Sequence, residues 1–211
     1  MLDDRSAERT NVDVGVRSAG LRGSSQLLVP GVRRGRQKAL VNTKNRSHSV
    51  TAELEVLDGA TRGVIVAQSG KMGGWSFYVH EGRLKYHYNF VGSLHSEVTA
   101  TAPLAMGTCQ VRMESRYDGG GIGRGCTVSL FIDGKKVGEG RIKRTHALFF
   151  SRDEFLELGG DRGEPISPDY GQIGNEFTGK IRWVRIDVDD VAKNAHLAAD
   201  ARRSQLALVL Q

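Results

Sequence analysis

Proline and cysteine are both scarce in this chain, with only four prolines and two cysteines in 211 residues. Two cysteines cannot make the disulfide framework of a small secreted domain, so the fold must depend on a hydrophobic core. No stretch approaches the roughly 18 consecutive apolar residues of a membrane-spanning helix. The first residues are acidic where a signal peptide has a basic end and an apolar run. We therefore expect a protein without a membrane segment, in a reducing, cytoplasmic setting.

The excess of positive charge is concentrated in the first forty residues. The whole chain has a formal net charge of +6, yet residues 1–40 hold eight Lys or Arg against four acids and the remainder is almost balanced. Residues 1–40 also lack a sustained hydrophobic period, which predicts a basic, disordered segment. No nucleic-acid-binding motif accompanies this charge, so we do not predict a nucleic-acid partner.

From about residue 46 the hydrophobic period becomes two, as in half-buried strands. In "SVTAELEV", for example, Val50, Ala52, Leu54 and Val56 share one face. About ten short strands with glycine-bearing turns are expected, including segments at 95–102, 146–150, 155–159 and 180–188. The pattern predicts an all-β, two-sheet antiparallel jelly-roll sandwich over residues 41–188. The Ala- and Leu-rich residues 189–211 lose the period and predict a short C-terminal helix.

The segment "GGWSFYVHEGRLKYHYNF" is typical of a hairpin that turns at Glu81-Gly82, because Gly adopts a positive φ without steric cost. This register turns an apolar set inward: Trp75, Phe77, Val79, Leu84, Tyr86 and Tyr88. One aromatic ring and several cationic or titratable groups then face outward as candidate ligand-binding residues: Tyr78, His80, Arg83, Lys85 and His87. Such a strip suits a sugar or an anion, and it also suits packing on a neighbouring domain.

Other motifs give weaker indications of a functional site. The glycines between Gly119 and Gly125 lack the spacing of a phosphate-binding loop and lead into a strand, so they are read as a connector. The histidines show no metal-ligand spacing. Asp161 and Asp169, in a loop rich in Gly and Pro, are candidate oxygen ligands for a structural Ca²⁺, and no other cofactor is expected. No pair of carboxylates of the glycosidase kind is recognisable.

Several blocks closely resemble the C-terminal region of large bacterial arylsulfatases: "NRSHSVTAELEV", "GVIVAQSGKMGGWSFYVHEGRLKYHYNF", "YDGGGIGRGCTVSLFIDGKKVGEGRI" and "FTGKIRWVRIDV". The resemblance extends from about Val41 to the last residue. It implies a sandwich of the concanavalin A or laminin G type, which in those enzymes follows an alkaline-phosphatase-like catalytic domain.

The chain departs from the sulfatase pattern at the catalytic motif. Sulfatases use a formylglycine made from the first residue of C/S-x-P-x-R, and neither Cys109 nor Cys126 is followed by this pattern. The resemblance therefore implies a non-catalytic accessory domain, a truncated or split product that packs on a sulfatase catalytic domain. The alternative is a free-standing laminin G-like carbohydrate-binding module that uses Tyr78 and the cations around it. A small glucanase-type hydrolase is a third hypothesis, for which the sequence offers no acid pair.

Overall fold

A computed structural model describes residues 25–30, 36–37, 41–70, 73–147, 150 and 155–189, and these form a stack of two antiparallel sheets. The strands are β1 (Ser25–Leu28), β2 (Arg36–Gln37), β3 (His48–Val56), β4 (Gly63–Gly70), β5 (Gly73–His80), β6 (Arg83–Phe90), β7 (Leu94–Pro103), β8 (Gly107–Tyr117), β9 (Cys126–Ile132), β10 (Lys135–Ile142), β11 (Phe155–Leu158) and β12 (Lys180–Val188). Sheet A has the order β1-β12-β3-β8-β9-β10, and sheet B has the order β2-β11-β4-β5-β6-β7. The predicted all-β jelly-roll sandwich is confirmed.

The core lies between the sheets and is built from the inward half of each alternating strand. Trp75 pairs with Tyr88 and Phe77 with Tyr86 across the β5–β6 hairpin, in the predicted register. All six residues of the predicted inner set are buried. The turn residues Glu81 and Gly82 have φ angles of 50° and 69°, the left-handed pair of a type I′ hairpin.

A β-bulge on β12 reconciles the two phases of its apolar residues. The pairing with β3 shifts between Ile181 and Trp183, so Val184 and Ile186 continue on the core face. This confirms the bulge that the phase change in the sequence predicts.

Two glycines let the free edges of the two sheets close on each other. A Cβ at Gly138 would lie 2.9 Å from the carbonyl oxygen of Thr99, and a Cβ at Gly140 would lie 2.6 Å from Cγ2 of Val98. The hydroxyl of Thr101 donates to the carbonyl of Val137 at 2.9 Å across the same seam. The sandwich therefore covers β10 with β7 and leaves neither as an open edge.

The strand expected at 146–150 is wrong for the residues that are described there. His146, Ala147 and Phe150 lie outside strands. The amide of His146 donates to the hydroxyl of Tyr88 at 2.7 Å, and the His146 and Phe150 rings pack 4.9 Å apart. Side-chain contacts thus take the place of a strand ladder.

The sandwich also begins earlier than residue 41. Leu28 is buried in the core and β1 pairs with β12, while β2 pairs with β11. These two strands lie within residues 1–40, and the disorder expected for the rest of that segment stays a prediction. The predicted helix at 189–211 lies almost wholly outside the described residues. Within the described part, no helix is long and apolar enough to span a membrane.

Candidate functional site

The outer face of sheet B is closed by the chain itself. The segment after β11, which we call the covering loop (residues 159–176), lays Tyr170 edge-on against Tyr78 with ring centroids 5.3 Å apart. Tyr78 forms a small buried cluster with Val64 and Ala67 beneath it, and only 1% of Tyr78 is exposed. The expectation that Tyr78 presents an exposed ring is therefore wrong, because a loop distant in sequence buries it.

A lysine bridges two carboxylates at the border of this covered region. The Nζ of Lys85 donates to Oε1 of Glu97 at 3.0 Å and to Oδ2 of Asp169 at 2.7 Å. Burial alone would raise the pKa of Asp169, but the hydrogen bonds from Lys85 and Tyr78 outweigh it and lower that pKa. Burial alone would lower the pKa of Lys85, but the hydrogen bonds to Asp169 and Glu97 outweigh burial and raise that pKa. Lys85 on β6 thus links Asp169 of the covering loop to Glu97 on β7.

Two other residues of the predicted strip also make contacts within the protein. The guanidinium of Arg83 donates to the backbone carbonyls of Ala100 and Thr101 on β7. His80 retains 33% side-chain exposure and lies 3.9 Å from Glu81. The structure thus joins Tyr78 and Lys85 in one network and places Arg83 and His80 nearer the turn. Ligand binding by the strip stays a prediction.

His87 is buried and belongs to a pair that the sequence does not reveal. Its Nε2 lies 2.9 Å from Nδ1 of His95, and its Nδ1 lies 3.6 Å from a carboxylate oxygen of Glu97. Burial lowers the pKa of His87, and the neighbouring His95 lowers it further. The contact depends on the pairing of β6 with β7, in which His87 opposes Glu97. The contact between His87 and His95 can therefore be predicted only when the register of the β6–β7 hairpin is known.

The two candidate calcium ligands are bound by different protein donors. The backbone amide of Ile166 and the hydroxyl of Tyr170 donate to Oδ2 of Asp161 at 3.0 and 2.9 Å. Asp169 is held by Lys85. Within the described ranges, no group of three or more His, Cys, Asp or Glu is arranged to hold a metal ion. Calcium binding stays a prediction.

The outer face of sheet A, by contrast, is open and carries a groove. Two serines form its floor, Ser47 just before β3 and Ser49 on β3, where Ser49 lies between Asp187 and Glu114 of the neighbouring strands. Long residues on β12 and β8 therefore stand on both sides of short ones. The resulting β3 groove has a volume of about 590 Å³. Its lining is polar throughout: Ser47, His48, Ser49, Arg112, Glu114, Ser115, Arg116, Arg185, Asp187 and Asp189.

Ion pairs along each wall hold the charged side chains of the β3 groove in position. Arg112 lies 2.8 Å from Glu114 on β8, and Arg185 lies 2.8 Å from Asp187 on β12. Within the described part of the chain, Oγ1 of Thr51 and Nε of Arg112 have no hydrogen-bond partner. The groove thus alternates donors and acceptors and retains unused hydrogen-bonding capacity at Arg112 in one wall.

A neutral histidine stands at one end of the groove. His48 donates from Nδ1 to the carbonyl of Arg46 at 3.2 Å, and burial lowers the pKa of His48 to about 4. Its Nε2 is buried and has no hydrogen-bond partner among the residues described. At neutral pH this nitrogen is therefore an acceptor.

Two half-buried aromatic residues flank the groove on the same face. Phe131 is the cross-strand neighbour of Arg112, and Trp183 opposes Glu53. The sequence analysis did not single out this surface, because it requires the register of β12, β3 and β8 together. The available signal was the run of small hydroxyl residues at outward positions of β3, where long polar side chains are more usual.

No protein-family model and no curated protein matches this chain, so the arylsulfatase resemblance stays a prediction. Solved structures are similar to it at low identity. A CBM40 domain of the Ruminococcus gnavus IT-sialidase, bound to alpha2,6 sialyllactose, is 14% identical over 70% of this chain and 80% of that chain, with a TM-score of 0.47.

Two further solved structures are animal proteins. Mouse laminin alpha1 chain domains LG4-5 are 19% identical over 79% of this chain and 39% of theirs, with a TM-score of 0.45. Caenorhabditis elegans galectin LEC-6 is 10% identical over 76% of this chain and 95% of its own, with a TM-score of 0.46. At these values the likeness carries no residue roles to this chain.

Proposed function

We propose that this protein is a non-catalytic carbohydrate-binding module that holds an oligosaccharide in the β3 groove. The observation that carries the proposal is the groove itself, in which a floor of small hydroxyl residues lies between walls of paired guanidinium and carboxylate groups. Sugar hydroxyls both donate and accept hydrogen bonds, so a lining of alternating donors and acceptors satisfies them. The groove volume of about 590 Å³ lies within the range of pockets that hold small-molecule ligands.

The walls favour binding over catalysis. Glycoside hydrolysis needs one carboxyl group that gives up a proton and a second that attacks or activates water. Glu114 and Asp187 are each bound to an arginine at 2.8 Å. Such carboxylates serve as fixed acceptors for hydroxyl groups, which is the role that recognition requires.

The test is a glycan array followed by titration calorimetry of the best ligand. Removing a wall with Arg185→Ala, or filling the floor with Ser49→Trp, is expected to weaken binding at least tenfold. Arg182→Ala is the matched control, because Arg182 lies on the same strand with 52% side-chain exposure against 48% for Arg185, and its ion pairs lie outside the groove. Circular dichroism checks that each variant is folded. Binding that both groove variants leave unchanged, or no binding to any glycan, contradicts the proposal.

The accessory-domain hypothesis is a second candidate, favoured by the same open face. A polar surface of ion-paired strands is also what an interface between domains presents. This hypothesis expects the chain to bind a purified arylsulfatase catalytic domain, measured by size-exclusion chromatography. Absence of a complex at micromolar concentration, together with glycan binding, would favour the carbohydrate-binding module.

A further inference from the structure

Three segments meet at the end of the sandwich where β3 begins. Residues 44–47 precede β3, residues 116–125 comprise the end of β8 and its connection to β9, and residues 141–147 comprise the end of β10 and the segment after it. Asn45 ties them together: its Oδ1 accepts from the amide of Gly123 at 2.8 Å, and its Nδ2 donates to the carbonyl of Ala147. The hydroxyl of Thr145 donates to the carbonyl of Arg124 at 2.7 Å. These bonds hold the three segments as one surface.

This surface carries six exposed cations, which we call the basic rim: Arg46, Arg116, Arg124, Arg141, Lys143 and Arg144. Arg141 binds Asp118, the only carboxylate in the three segments. None of the other five cations has an ion-pair partner within 4 Å among the described residues. The three segments therefore concentrate positive charge that their own carboxylate does not balance.

The opposite end of the sandwich is nearly balanced in charge. Apart from residues 160–175 of the covering loop, its connections hold Asp58, Glu81, Asp133 and Glu176 against Arg62, and the strand residues beside them add Arg83, Lys135, Lys136 and Lys180. The positive field therefore belongs to one end and is not a general property of the surface.

We infer that the ligand of the β3 groove is an acidic glycan, whose sulfate or carboxylate groups lie on the basic rim. This inference depends on the proposed function. Arg116 lines the groove and belongs to the rim, so the two surfaces are continuous. Five of the six rim cations are arginines, whose planar forks bind oxyanions in a bidentate way. The ion-paired groove contacts the sugar hydroxyls, and the rim contacts the charged groups.

A nucleic acid is the rival polyanion, and the rim lacks its usual partner. Proteins that bind single strands offer aromatic rings on which bases stack. The one described aromatic residue in these segments besides His146 is Tyr117, and its hydroxyl is engaged within the connecting loop. It donates to the carbonyl of Gly121 at 2.7 Å and accepts from the amide of Arg124 at 2.9 Å.

The experiment compares sulfated or carboxylated glycans with their uncharged counterparts of the same sugar sequence. We expect the acidic form to bind at least tenfold more tightly, with an affinity that falls as salt rises. The triple variant Arg124→Gln, Lys143→Gln, Arg144→Gln should reduce the affinity for the acidic form to that of the uncharged form. The matched control, Arg62→Gln, Lys135→Gln, Lys136→Gln at the balanced end, should leave both affinities unchanged.

The outcomes separate the two proposals. Equal binding of acidic and uncharged glycans, unchanged in the rim variant, overturns the acidic-glycan inference and leaves the proposed function standing. No binding of either form overturns both. Tighter binding of a DNA oligonucleotide than of any acidic glycan, lost in the rim variant, assigns the rim to nucleic acid and also overturns the inference.

Discussion

The outer faces of the two sheets share the same alternation of polar and apolar residues, yet one is closed and the other is open. On sheet B, Ser76, Tyr78 and His87 are at most 3% exposed because the covering loop and neighbouring side chains enclose them. On sheet A, Arg112 and Arg185 keep 42% and 48% of their side-chain surface exposed. An outward position in a strand pattern therefore does not by itself make a surface residue. A loop remote in sequence decides which polar face is available to a ligand.

The largest expected effect is on the closed face. Lys85→Met leaves Glu97 and Asp169 near each other without their shared cation, and we expect a loss of about 2 kcal/mol in the free energy of unfolding, less than for a fully buried pair. The open-face counterpart Arg182→Met, whose ion pairs are more exposed, should cost at most about 0.5 kcal/mol. Urea unfolding measures both. Equal losses of unfolding free energy in the two variants would contradict the expected difference between the closed and the open face.

The second prediction separates the faces by pH. The folded-state pKa of His48, about 4, lies below the ordinary histidine value of 6.5, so the unfolded chain binds more protons between these values and stability falls as the pH drops through this window. His48→Gln should abolish a loss of about 2 kcal/mol between pH 7 and pH 5. The pKa values of Glu97 and Asp169 are also lowered, so their contribution is lost only at more acidic pH. An unchanged pH slope in the variant would refute this assignment.

The third prediction concerns how the covering loop is held. Tyr78→Phe removes the hydroxyl that donates to Asp169 at 2.8 Å and lies 2.9 Å from Oγ of Ser167. We expect a loss of about 1 kcal/mol and faster hydrogen exchange in residues 166–176. Tyr117→Phe, at the basic end, is the comparison and should leave exchange in the covering loop unchanged. A loop with unaltered exchange in Tyr78→Phe would show that this hydroxyl does not fasten it.

The smallest expected effect is on the open face. Arg185→Ala breaks an exposed pair with Asp187, and such pairs contribute about 0.2–1 kcal/mol. Its midpoint in urea should therefore stay close to that of the unaltered protein while glycan binding falls. A loss of stability as large as that of Lys85→Met would show that the groove walls are structural.

Local patterns predict much of the fold. The turn at Glu81-Gly82, the inner set around Trp75 and the bulge at Ile181 to Trp183 all follow from period two and from glycine's freedom at positive φ. These features depend on neighbours along one hairpin or one strand. The strand predicted at 146–150 is wrong, because contacts of His146 with Tyr88 replace strand pairing there.

The candidate sites were harder to predict because they depend on contacts distant in sequence. Tyr78 meets Tyr170 only after the covering loop has crossed sheet B. The β3 groove needs three strands in register, with Ser49 between Asp187 and Glu114. Neither arrangement has a local signal as strong as a turn or a strand period.

The most direct test of the open-face site is amide chemical-shift mapping by NMR with the best glycan from the array. We predict that the largest shifts fall on the β3 groove, at Ser47 and Ser49 and at Arg112 and Arg185 on the neighbouring strands. Shifts concentrated instead at the outward strip of sheet B, from His80 to Lys85 and at Glu97, would contradict the account and return the ligand to the closed face.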